Sequence, residues 1–271
     1  MTSTDIDTDI PEPRDVPEPL DIKIITLHTA EQRRQAASLY RSVFGYDHPA
    51  YGVNPRLMSG LSSNGGSVIG ALDNNDRLVG FTFGFLGTDG ISTYHYSQAA
   101  VVAADLQGQG LGRQLKLAQR EVALRSGVTT MRWAYDPLLT RNAHFNLDVL
   151  GARGIAFHPD MYDERGTDRV LVSWELGDVV DEDRRVRAPE DDLPTEESAA
   201  WGRPIEQRDR LLLPVPSRID RLREQRPKAA ADVAQSVREF FSRAFDDGYQ
   251  AISCRAVGTT AFYVLKQFDE V

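Results

Sequence analysis

The sequence predicts an α/β chain, on three observations. An apolar run, Val101-Val102-Ala103, leads through Gly108, Gly110 and Gly112 into a segment where Leu111, Leu115, Ala118 and Val122 recur at steps of four, three and four; that is the spacing of one helix face. Two apolar segments, 67–73 and 77–86, flank Asn74-Asn75-Asp76, which reads as a hairpin turn. Helical and strand-like periodicities then alternate over residues 21 to 176, the pattern of strands and helices layered on one core.

In chain order, residues 1–20 carry six acidic side chains and four prolines and read as a disordered tail. Residues 22–27 read as a strand, and 31–44 as a helix with Ala36, Leu39, Tyr40, Val43 and Phe44 on one side and Gly45 as its stop. Residues 54–63 form a shorter helix, followed by the hairpin. Residues 93–103 are the next strand, running into the glycine loop and its helix. Residues 129–135 are again a strand, 137–150 a helix stopped by Gly151, and 152–158 with 169–176 a strand pair. Beyond 176, a charged linker spans 177–210. A C-terminal unit over 211–271 follows: a short edge strand at 211–216, an amphipathic helix marked by Val233, Val237, Phe240, Phe241, Ala244 and Phe245, and a hairpin around Gly258. So small a unit is expected to pack on the preceding domain or on a dimer mate.

Composition narrows the function classes. A chain of 271 residues with a net charge of −9 and no basic cluster argues against nucleic acid and anionic membrane as partners. Its one cysteine, Cys254, excludes an internal disulfide and fits a reducing compartment. No apolar run approaches the length of a membrane span and the N-terminal stretch is not signal-like, so the expectation is a cytoplasmic protein. The five histidines lack metal-ligand spacing, and no metal is expected.

The glycine loop carries the chemistry. The first N–H groups of a helix have no internal partner and the helix dipole places positive charge there, so Gln107-Gly108-Gln109-Gly110-Leu111-Gly112 opening a helix is a candidate pyrophosphate site. Arg113 and Lys116 in the first turn could add charge-assisted contacts. A P-loop is excluded because Gly112 is followed by Arg113-Gln114, and the dinucleotide fingerprint fails because its third glycine would fall at Arg113.

What remains, Gln107-x-x-Gly110-x-Gly112 after a strand, resembles the coenzyme A loop of the GNAT family of N-acyltransferases. Residues 131–138, Met-Arg-Trp-Ala-Tyr-Asp-Pro-Leu, followed by Asn142-Ala143-His144-Phe145-Asn146 and Leu150-Gly151-Ala152, resemble a bacterial branch of predicted acyltransferases in that family. The resemblance covers residues 21–176. It implies a mixed, mostly antiparallel central sheet flanked by helices, and direct acyl transfer from acetyl-CoA or another acyl-CoA to the amine of a small molecule. It also implies that the fourth strand splays from the fifth, freeing backbone groups at Ala100, Val101 and Val102 for pantetheine, with the Val102 amide as oxyanion donor.

The amine must still lose a proton. The glutamate that many family members carry on the fourth strand is missing between Thr93 and Val102. Strict alternation puts Tyr94, Tyr96, Gln98, Ala100 and Val102 on one face and His95, Ser97, Ala99 and Val101 on the other. Tyr96 and His95 are the candidate bases, or else strand-face packing residues. The family's tyrosine acid would fall at Leu147; His144 is the alternative. Asn142 and Asn146, at i and i+4, share a helix face and could bond pantetheine amides. The reading is an N-acyltransferase; the alternative is a catalytically weak CoA-binding or sensing module. A homodimer is compatible with both.

Overall fold

The computed structural model describes residues 21–177, 193–194 and 200–268; the expected tail and nearly all of the expected linker before residue 200 lie outside them. Among the described residues eleven strands form one sheet in the order β1-β2-β3-β4-β5-β7-β6-β10-β11-β9-β8. These are β1 (Lys23–Thr26), β2 (Ser67–Leu72), β3 (Leu78–Thr88), β4 (Thr93–Val102), β5 (Thr130–Tyr135), β6 (Arg153–His158), β7 (Arg169–Glu175), β8 (Ile205–Gln207), β9 (Arg210–Pro216), β10 (Tyr249–Val257) and β11 (Thr260–Gln267). Every pairing is antiparallel except β4 with β5. The helices are α1 (Ala30–Phe44), α2 (Pro55–Ser63), α3 (Leu111–Arg125), α4 (Thr140–His144), α5 (Ile219–Gln225) and α6 (Pro227–Asp246). Over residues 21–176 the element order is the one expected, and the sheet is mixed, mostly antiparallel and flanked by helices.

Local chemistry sets the element ends. The Gln32 N–H donates to Thr29 Oγ1 while the Thr29 N–H donates to Gln32 Oε1, a reciprocal cap that starts α1. Gly45 at φ +66° ends it. Asn54 caps α2. Helices α1 and α2 bury Ala36 and Met58 against Val68, Phe81, Phe83 and Val101. Helix α3 buries Leu111 and Leu115 against Ile69, Ala71 and Val79 on the opposite face of the same strands.

Three expectations are corrected. Strict alternation along β4 fails: Phe83 pairs with Ala99 but Gly84 with Ser97, so Gln98 is an extra residue in a β-bulge. His95 and Ser97 therefore reach the α3 side, whereas Ala99 and Val101 pack on the α1/α2 side. The helix expected over 137–150 begins at Thr140 and turns π-helical over Phe145–Val149. The edge strand expected at 211–216 is interior, because the short β8 covers its outer side.

The C-terminal unit continues the sheet within the same chain. Its junction is a single register pair, Ala251 with Gly154. Burial holds it there: Phe241 and Tyr263 (ring centroids 5.1 Å apart at 88°) join one core with Trp133, Leu147 and Val172. No helix among the described residues is long and apolar enough to cross a membrane.

Candidate active site

The site is a fork in the sheet. Strands β4 and β5 are in register only at His95–Met131 and Tyr96–Arg132; beyond these residues β4 runs on to Val102 without ladder pairing to β5. The Ala103 N–H donates to Val79 O at 2.9 Å, and bonded pairs alternate along an antiparallel ladder. With Gly80 opposite Val102 and Thr82 opposite Ala100, the peptide groups of Ala100 and Val102 turn away from β3, toward the opening. The Val102 carbonyl there accepts from Gln107 Nε2 at 3.1 Å. Val101, by contrast, bonds back to β3 and is buried.

The fork leads to the glycine loop. Gly108 and Gly110 both stand at φ +82°, a conformation side chains with a Cβ resist. Gly110 is the N-cap of α3 and no side chain caps the helix, so first-turn N–H groups face outward. Nothing lies within 4 Å of where a Gly110 Cβ would sit. Gln109 Nε2 donates back to Asp105 O at 3.1 Å, and Leu111 is buried; with Gln107 these side chains shape the loop and leave its backbone to meet a ligand. Gly112 packs near Phe145, and Arg113 is half-buried in the first turn. Open space, outward N–H groups and a backbone edge leading into the fork are what a pyrophosphate joined to a narrow amide-bearing arm requires.

Several expected side chains are placed elsewhere. Lys116 does not reach the loop surface. It is turned inward with 2% exposure, because at one turn past Gly112 it shares the face of Leu115 and Gln119 that packs on the sheet. His95 is fully buried, with Nε2 2.8 Å from Ser67 Oγ. Burial, with Lys116 nearby, pushes its pKa down to about 4, and the enclosed ring corrects the reading of His95 as a base. Asn146 is also buried; its Oδ1 accepts from Trp133 Nε1 at 3.1 Å, whereas Asn142 is exposed. The π turn, with its wider repeat, breaks the expected shared stripe. Leu147 is buried.

His144 is exposed, and its Nδ1 lies 3.2 Å from Asp148 Oδ2 and 3.0 Å from the Cys254 carbonyl. A carbonyl only accepts, so the proton sits on Nδ1. Asp148 raises the pKa of His144. This histidine ties α4 to β10.

Tyr96 faces the α1/α2 side, its ring 5.5 Å from that of Phe85. Burial, with Tyr162 and Tyr94 nearby, pushes its pKa up to about 12, which makes it a proton donor in hydrogen bonds rather than a base at neutral pH. Tyr162 comes from the loop between β6 and β7 and also acts on Tyr40 of α1. That loop is clamped from α6: Arg238 donates to both Asp160 and Asp168, with Nη1 3.0 Å from Asp160 Oδ2 and Nε 2.9 Å from Asp168 Oδ2.

Two features were not read from the sequence. Arg141 reaches to 4.0 Å from the Cβ position of Gly108, bringing a cation to the loop; its place at the start of a helix after Asp136-Pro137 was the available signal. Beneath the fork lies a buried chain: Lys116 Nζ donates to Ser97 Oγ (2.7 Å), Ser97 Oγ to Gln119 Oε1 (2.7 Å), and Gln119 Nε2 to Ser67 Oγ (2.9 Å). Among the described residues, no group of three or more His, Cys, Asp or Glu is placed to hold a metal ion.

No family model and no curated protein matches the chain. Solved structures of similar architecture include the ribosomal-protein-S18-alanine N-acetyltransferase from Escherichia coli, 15% identical with a TM-score of 0.46, the match covering 59% of this chain and 97% of that one. Aminoglycoside 6'-acetyltransferase type Ii is 15% identical with a TM-score of 0.47, covering 58% and 99%. A GNAT family acetyltransferase from Elizabethkingia anophelis with acetyl-CoA bound is 18% identical with a TM-score of 0.43, covering 57% and 97%.

Proposed function

We propose that this chain is an acyl-CoA-dependent N-acyltransferase that moves an acetyl or other short acyl group to the amine of a small molecule. The observation that carries this reading is the β4/β5 fork leading from an uncapped, doubly left-handed glycine loop. The loop N–H groups, with Arg113 and Arg141, would hold the pyrophosphate; the Ala100 and Val102 edge would pair with the pantetheine amides. The Val102 N–H would face the carbonyl oxygen as negative charge develops there. The acceptor would enter from the α1/α2 side, past Tyr96, Phe85, Tyr40 and Tyr162.

On that side β4 offers no carboxylate and no histidine. The amine therefore reaches the thioester already neutral, its proton lost to water, with the Tyr96 hydroxyl orienting it. Thiol release from acetyl-CoA in the presence of a panel of small amines tests the reading: acylated amine and free CoA in equal amounts support it. A second reading, a CoA-binding sensor without turnover, is motivated by Gln98 in the bulge and Leu147 buried where an acid would stand. CoA binding with no thiol release from any donor would favour it.

A further inference from the structure

The most unusual group in the molecule is Lys116. Its Nζ lies 2.7 Å from Ser97 Oγ and 3.7 Å from the centroid of the Trp133 ring. Ser97 is the first residue of β4 beyond the last pair with β5, and Trp133 is the first residue of β5 beyond it. Lys116 Nζ thus bridges the two strands at the apex of the fork. Around it stand Ser97 and His95 from β4, Gln119 from its own helix and Trp133 from β5, whose Nε1 is held by Asn146. Among the described residues no carboxylate pairs with it. Burying an uncompensated cation is costly, and a methionine would fill the same volume without that cost. Burial drives the lysine pKa well below its usual value, which eases transfer of its proton.

Resting on the acyltransferase reading, we propose that Lys116 is the cation and proton donor for the departing CoA thiolate. A pantetheine arm paired along Ala100 and Val102 runs toward the fork apex, and its sulfur is the arm's terminal atom. When the neutral amine attacks the thioester, the C–N bond forms and the C–S bond breaks, with the electron pair leaving on sulfur. The Nζ–H bond of Lys116 breaks as the S–H bond forms. The proton shed by the new amide nitrogen passes to solvent, and the neutral lysine regains one from there. Overall, one amine and one thioester become one amide and one thiol. The cation–π contact with Trp133 and the Ser97 oxygen hold the ammonium in place between turnovers.

The decisive measurement, a titration, needs no acceptor. CoA is bound to the full-length protein and to Lys116→Met, and the thiol is titrated by its ultraviolet thiolate absorbance. In the native protein the bound thiol is expected to titrate about one unit or more below free CoA measured in the same buffer, and in Lys116→Met to return to or above the free value, with CoA affinity retained. Steady-state turnover of the variant should fall by about 100-fold at unchanged KM for acyl-CoA. An unshifted bound thiol in the native protein, or the same shift in both proteins, overturns the proposal. Should the variant not fold, the native titration decides alone. Failure of the native protein to bind CoA at all would instead sink the acyltransferase reading.

Discussion

Two joints in this sheet are scarcely paired, and they are finished in opposite ways. Strands β4 and β5 share two register pairs and strands β6 and β10 share one. At β6/β10 the opening is filled. Phe241 and Tyr263 form one apolar core with Leu147 and Val172, and the buried Asp148 carboxylate accepts from Ser253 Oγ at 2.7 Å, the Cys254 N–H at 2.9 Å and Arg255 Nε at 3.1 Å. At β4/β5 the apex holds a lysine Nζ, a serine and an indole, and the mouth ends at bare glycine backbone. Poor pairing alone does not make a site. A seam closed by packing and satisfied hydrogen bonds is structure; one that ends at uncapped glycine backbone is where the proposed donor site falls.

The largest expected effect lies at the closed seam. Asp148→Ala strips the acceptor from several buried donors, and losing one partner of such a cluster costs about 3–5 kcal/mol. Denaturant unfolding would measure it; a loss under about 1 kcal/mol would mean that packing alone closes the joint. Burial raises the Asp148 pKa, but hydrogen bonds from His144, the Cys254 N–H, Ser253 and Arg255 outweigh it and lower the pKa overall. Its contribution is therefore fully present above the unfolded value of about 3.9 and lost as pH falls through the lower folded value. His144 is raised, so its share is present below about 6.5 and lost as pH rises through the folded value. The stability gap between native protein and Asp148→Ala should be widest between these two limits.

At the open joint, Gly110→Val should come next. A β-branched residue at φ +82° carries strain of about 1–3 kcal/mol. A folded variant relieves it by reshaping the loop, with CoA affinity falling about tenfold or more. Unchanged affinity by calorimetry would move the pyrophosphate site elsewhere.

Smaller is Arg238→Met. Its side chain is 29% exposed, so the stability cost is about 1 kcal/mol or less. Releasing Asp160 and Asp168 should loosen the loop bearing Tyr162, raising KM for the amine but not for acyl-CoA. Equal shifts in both would refute a role confined to the acceptor side. Smallest is Tyr96→Phe: kcat/KM should still climb with pH toward the pKa of the free amine, whereas loss of a plateau near neutrality would make Tyr96 the base after all.

Much of this was legible in the residues, for definable reasons. The glycine loop, the helix stop at Gly45 and the Asn74-Asn75-Asp76 turn are local devices whose conformational demands show in residue type. The bulge at Gln98 was not, because alternation in a sequence cannot reveal an extra residue opposite one partner. Lys116 misled because a cation near a helix start beside a glycine loop reads as a phosphate contact, and only packing of α3 on the sheet turns it inward. The π turn at 145–149 broke the Asn142–Asn146 stripe for a reason no periodicity of 3.6 contains. Strand β9 seemed an edge because its cover, β8, is three residues long and reached through Arg208 at φ +55°.

Backbone hydrogen exchange with and without CoA tests the fork most directly. The Ala100 and Val102 amides, turned toward the opening, should gain protection when CoA binds, while Val101 and Ala103, already bonded to β3, should scarcely change. CoA binding that leaves Ala100 and Val102 exchanging as before would contradict the fork as the place where the donor lies.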